Sequence, residues 1–99
     1  MEKDILISKI EDWCVSLTEQ DEKNWKPELI PLFSKRFGYD LNAKYIRVWY
    51  TSGSQKSVWA FVDYDGNIYK PAGWKAPYKS VRGNIENPPM LYRDLYARG

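Results

Sequence analysis

The chain contains no histidine and a single cysteine, Cys14. Without histidine there is no Ser-His-Asp or Cys-His nucleophile arrangement, and the usual zinc sites lose a principal ligand. One cysteine forms no internal disulfide and no thiolate metal cluster, a composition that suits a reducing compartment. No apolar run approaches the ~20 residues that a membrane-spanning helix needs. The opening Met1-Glu2-Lys3-Asp4 lacks the basic region of a secretory signal, so a cytoplasmic protein is expected. The short glycine turns lack the spacing of a phosphate-binding loop. Asp63 and Asp65 flank one such turn, where carboxylates cap backbone N–H groups more readily than they hold a hydrated cation. The expectation is therefore a non-enzymatic protein with no catalytic residues, no cofactor and no metal.

Aromatic residues are what the chain has in excess. Five Trp, eight Tyr and three Phe occur in 99 residues. A single domain spanning 1–99 buries only about two thirds of its unfolded surface. Some of these rings are then expected at a surface or an interface, where Tyr and Trp keep one end wet. Charge is uneven although the net is only +2. Residues 1–40 carry six Lys/Arg against nine Asp/Glu, and residues 41–99 carry nine against four. The basic C-terminal part permits a polyanionic partner but falls short of a typical nucleic-acid module.

Apolar residues Leu6, Ile10, Trp13, Cys14 and Leu17 recur at three- and four-residue spacing, predicting an amphipathic helix over 4–20 with Asp4 as its cap. Cys14 lies on that stripe and reads as a small core hydrophobe. Residues 28–38 fit either a short helix starting near Pro31 or an irregular edge strand, and the strand is preferred because a long structureless connection would be unusual. The centre is clearer. Residues 44–51 (KYIRVWYT) and 56–64 (KSVWAFVDY) are rich in β-branched and aromatic residues, as strands are. Asp63-Tyr64-Asp65-Gly66-Asn67 suits a type I turn followed by a glycine bulge. That turn pairs Val62 with Ile68 and Phe61 with Tyr69, like with like, whereas a two-residue turn would pair Asp63 with Ile68.

Strict alternation then gives two faces. Ile46, Val48, Tyr50, Val58, Ala60, Val62 and Ile68 form the core side, under the helix. Tyr45, Arg47, Trp49, Trp59, Phe61 and Tyr69 form an aromatic side that carries a cation. Beyond Lys70 the chain reads as a loop-like arm punctuated by proline and glycine, with a short helix over 89–98. The fold expected is α+β, an N-terminal helix packed on a three- or four-stranded antiparallel β-meander with a long C-terminal arm.

Residues 58–85 (VWAFVDYDGNIYKPAGWKAPYKSVRGNI) include a specific run, Ile68-Tyr69-Lys70-Pro71-Ala72-Gly73-Trp74-Lys75-Ala76-Pro77, followed by Arg82-Gly83-Asn84-Ile85. This segment resembles short uncharacterised proteins of tailed bacteriophages and related viruses. The resemblance implies a viral origin and a host-cytoplasm setting, and it implies no mechanism.

Two kinds of partner fit the surface residues. Arg47, Trp49, Trp59, Lys70, Trp74, Lys75, Lys79 and Arg82 could stack unpaired bases and meet phosphates of a nucleic acid. The same Trp-, Tyr- and Arg-rich surface could instead bind a host protein or a second copy as a homodimer. In either case the aromatic face is bare, or it is covered by Trp74, Pro77, Tyr78 and the C-terminal helix folding back.

Overall fold

In the computed structural model, residues 2–90 are described. They form α1 (Lys3–Glu22), a single 3₁₀ turn (Pro27–Leu29), α2 (Ile30–Phe33) and five strands. The strands are β1 (Arg36–Leu41), β2 (Tyr45–Ser52), β3 (Gln55–Asp63), β4 (Asn67–Pro71) and β5 (Pro77–Asn84). They pair antiparallel in the order β1-β2-β3-β4-β5, a plain meander with α1 lying on one side. The fold is thus α+β, with an N-terminal helix followed by an antiparallel meander. The sheet extends beyond the three or four strands expected, because part of the tail pairs as β5. Its proline stands at the first position, opposite Pro71, a strand-end place where proline is tolerated. The helix expected over 89–98 lies, from residue 91 on, outside the described residues.

The periodic stripe buries as its spacing dictates. Leu6 and Ile10 are fully enclosed, with Trp13, Cys14 and Leu17 nearly so. The helix begins earlier than expected: its N-cap is Glu2, with no side-chain cap, and Asp4 sits in the first turn, where a carboxylate still meets the positive end of the helix dipole. Two side chains of α1 dock the chain that follows. Thr18 Oγ1 accepts the Phe37 N–H at 3.0 Å, and Asp21 Oδ2 accepts the Lys35 N–H at 2.7 Å. These bonds set β1 against the helix. The preference for strand over 28–38 is corrected by this route. Residues 27–33 turn helically, with Pro27 and Pro31 at first-turn positions where a missing N–H is harmless, and the edge strand starts only at Arg36.

β2 and β3 meet through a two-residue loop, Gly53-Ser54, between paired Ser52 and Gln55. Gly53 takes φ +61 and Ser54 does not take a positive φ, the pattern of a type II′ turn. The β3–β4 turn adopts the bulged form expected. Val62 pairs with Ile68 and Phe61 with Tyr69, and Gly66 has φ +90. Asp63 organises that turn, its carboxylate accepting the Asp65 and Asn67 N–H groups and the Tyr69 hydroxyl at 2.7 Å.

The strict alternation expected along β3 fails at one place. Val48 pairs with Ala60 but Trp49 pairs with Val58, so Trp59 is an extra residue in a β-bulge. The slip returns Trp59 to the helix side, where its ring packs edge-on to Trp13 (5.3 Å) and Phe37 (5.7 Å). Val58 moves to the opposite face beside Trp49. The core therefore joins Leu6, Ile10 and Leu17 to Ile46, Val48, Trp59, Ala60, Val62, Ile68 and Ile85. Trp13 also donates its indole N–H to the Pro89 carbonyl at 2.9 Å, anchoring the chain after β5 across the helix.

Candidate functional site

The face of the sheet away from α1 has its own small centre. Phe61 is almost fully enclosed there, 1% exposed, although it lies outside the helix-side core. Tyr45 packs edge-on against Phe61 at 6.1 Å and against Tyr69 at 5.7 Å. Arg47 enters this aromatic ground from β2 and is held in three ways. Its Nη1 donates to Asp40 Oδ2 of β1 at 3.2 Å, its Nε donates to the Trp74 carbonyl at 2.8 Å, and its guanidinium lies 4.4 Å from the Trp74 ring centre. Arg47 is only 15% exposed, so these contacts operate partly out of water, where cation–π attraction and ion pairing are strongest.

Trp74 belongs to the loop between β4 and β5. Pro71 pairs with Pro77, and the Ala72 and Gly73 N–H groups both donate to the Ala76 carbonyl, so the loop is closed at its base. It leans over the sheet and reaches Arg47. Lys56 completes the group from β3, its ammonium lying 4.0 Å from the Trp49 ring centre and 5.8 Å from that of Trp74. Trp49 in turn lies over Gly38 of β1, where a Cβ would come within 2.5 Å of two ring carbons. Only a glycine leaves room for the indole at that edge position. The result is an alternation of rings and cations across β1–β3, Trp49, Lys56, Trp74 and Arg47, in which Trp74 remains 38% exposed.

The residues singled out in the sequence divide clearly. Arg47, Trp49 and Trp74 are brought together. Trp59 is not: the bulge buries it in the opposite, helix-side core, and it is withdrawn from the site. Lys75 and Lys79 are exposed, one beside Trp74 in the loop and the other on β5. Lys70 is half-buried, its ammonium 5.2 Å from the Tyr78 ring centre, and Arg82 is half-buried in β5. The arm partly covers the aromatic face, through Trp74 but not through Tyr78, which remains exposed. Two contributors were missed. Lys56 falls on the core side under strict alternation and reaches the aromatic side only through the bulge. Asp40 lies beyond the 28–38 segment read as a possible edge strand and carried no signal in the sequence.

Cys14 is inert in this setting, because burial first, and the nearby Glu11 carboxylate second, push its thiol up to about 12. Among the described residues no helix is long and apolar enough to cross a membrane. The model of a family of unknown function, DUF7717, matches residues 2–90. The chain belongs to the DUF7717 family. That match covers α1 and every strand, so the DUF7717 unit includes both the helix-side core and the ring-and-cation stack. No curated protein and no solved structure matches the chain.

Proposed function

We propose that this chain is a non-enzymatic, virus-encoded binding protein that contacts single-stranded nucleic acid around Trp74. The observation that carries the reading is the state of Trp74: 38% exposed, held by Arg47, with Lys56 near its ring, Lys75 next to it in the loop, and a further exposed lysine, Lys79, on β5. A base stacking on an already immobilised ring avoids the ordering cost that a mobile side chain would incur. Such stacking tolerates any sequence and is worth roughly 1–3 kcal/mol per base, while the lysines meet phosphates. The resemblance of the 58–85 segment to short bacteriophage proteins supports the viral origin and, with it, action in a host cytoplasm.

The test is retention on an immobilised single-stranded oligonucleotide. Lys75→Glu with Lys79→Glu is expected to abolish retention while leaving the thermal melt nearly unchanged, since both residues are exposed. Trp74→Ala is expected to weaken retention by about tenfold, the loss of one stacked base. Undiminished retention of the charge-reversed protein would refute the reading.

A second reading, a protein-binding module or homodimer, is favoured by a different place. Leu32 is 63% and Phe33 48% exposed on α2, with Trp25 stacked behind Phe33 at 5.4 Å. Adjacent exposed apolar side chains of this size suit a protein contact. If that contact is the functional one, Leu32→Asp with Phe33→Asp converts a larger species to monomer in a sizing measurement, and the lysine reversals do nothing.

A further inference from the structure

On the helix side, away from the Trp74 surface, a groove of about 450 Å³ opens between the C-terminal half of α1 and the β1–β3 end of the sheet. That volume is in the range of small-molecule sites. Three rings line it: Phe37, Tyr50 and Trp59. They are not parallel. Phe37 stands at 89° to Trp59 and at 44° to Tyr50, with centre separations of 5.7 and 5.8 Å. The groove is thus walled by aromatic surfaces at different angles.

Among the described residues, its charged lining residues are Asp21 and Lys35. The Asp21 side chain is 16% exposed. Oδ2 is engaged, accepting from the Lys35 N–H at 2.7 Å and from Trp25 Nε1 at 3.3 Å. Among the described residues, Oδ1 meets the Lys35 ammonium, at 3.9 Å. The same ammonium lies 5.7 Å from the Tyr50 ring centre. The chain's own lysine therefore holds a cation between a carboxylate and an aromatic face, at a separation too long for a strong hydrogen bond. Its side chain is 41% exposed, so it can leave for water at little cost.

The geometry points to a binding site for a small organic cation, an alkyl-trimethylammonium group, in this groove. Its positive head takes the place of the Lys35 ammonium between Asp21 Oδ1 and Tyr50, and its methyl groups rest against Phe37 and Trp59. A quaternary head donates no hydrogen bond, so it needs from Oδ1 only the field that the Lys35 ammonium already experiences there at 3.9 Å. It gains instead from ring faces and from the carboxylate's field in a partly desolvated space. With Lys35 turned outward, the remaining lining charge is negative. The site is independent of the nucleic-acid reading, since it shares no residue with the Trp74 surface.

The test uses the full chain and two probes, choline and its uncharged carbon isostere 3,3-dimethyl-1-butanol, titrated by calorimetry or by the shift of the Trp59 indole resonance. Choline is expected to bind at millimolar concentration or better, and the isostere about tenfold more weakly, a cation–π difference of the usual size. Asp21→Asn, which keeps an acceptor for the Lys35 N–H, should weaken choline binding by about tenfold, and Tyr50→Leu should do likewise. Lys35→Met removes the internal competitor and should tighten choline binding several-fold, a gain that a damaged fold cannot produce. Equal binding of choline and the isostere, no binding of choline at millimolar concentration, or weaker binding to Lys35→Met would each overturn the proposal.

Discussion

Cys14 and two tyrosines make single residues visible in the pH dependence of stability. Burial raises the Cys14 thiol from 9.0 to about 12, and hydrogen bonds to carboxylates raise Tyr39 (to Glu11) and Tyr69 (to Asp63) from 10.0 to about 12. In each case the folded state holds its proton more tightly than the unfolded chain does. The stability involved is fully present below the unfolded values and is lost as pH rises from about 9 towards 12. The urea midpoint should therefore be flat from pH 7 to 8.5 and fall above it, and in Cys14→Ala the fall should begin about one pH unit later. The thiol should react with a disulfide reagent only as fast as the protein opens. Asp63 acts at the other end of the scale. Burial alone would raise its carboxyl, but donors from Tyr69, Asn67 and Asp65 outweigh it and the net shift is downward. Its contribution is present above the unfolded carboxylate range and lost as pH falls through the folded value, so Asp63→Asn should flatten the acid limb of the stability profile. Gly38 is the other telling residue: Gly38→Ala drives a Cβ into the Trp49 ring and is expected to cost about 1–3 kcal/mol in a denaturant titration.

At the scale of elements, the bulge in β3 decides which side chains meet. Val48 and Ala60 are fully enclosed beside it, whereas Arg47 lies on the opposite face. Ala60→Asp buries a charge without a partner and should cost several kcal/mol, enough to leave little folded protein. Arg47→Ala should leave the sheet intact and free the β4–β5 loop, seen as faster amide exchange at Ala72 and Gly73 with little change in the melt. Comparable urea midpoints for the two variants would reverse the face assignment. The same bulge marks the limit of what the sequence discloses. The helix stripe at Leu6, Ile10, Trp13 and Leu17 and the glycine-bulge turn at Gly66 are legible because local chemistry determines them. The extra residue at Trp59 has no such signature: it is selected by the space between Trp13 and Phe37, a tertiary fact. One slip moves Trp59 inward and brings Val58 and Lys56 outward, so the true partner of Trp49 was hidden while Arg47 and Trp74 were visible. β5 was obscured for a similar reason, its proline and its glycine resembling loop punctuation until pairing with β4 is seen.

Across the whole molecule the uneven charge of the sequence becomes a polarity of the fold. α1 carries six acids against two lysines, and it covers one side of the sheet. Arg47, Lys56 and the Trp74–Lys75 loop gather on the other, where Asp40 is already committed to Arg47. On the proposed reading, a polyanion would meet the ring-and-cation stack rather than the helix side. The choline site sits on the acidic side, so a bound oligonucleotide and bound choline should not compete. The central claim is tested most directly by fluorescence anisotropy of a labelled oligothymidylate at 50 and 200 mM salt. Contacts from Lys56, Lys75 and Lys79 to three phosphates predict a slope of about −2 in log affinity against log salt, roughly a twentyfold loss between the two conditions. Absence of binding at 50 mM, or an affinity that salt leaves unchanged, would contradict it.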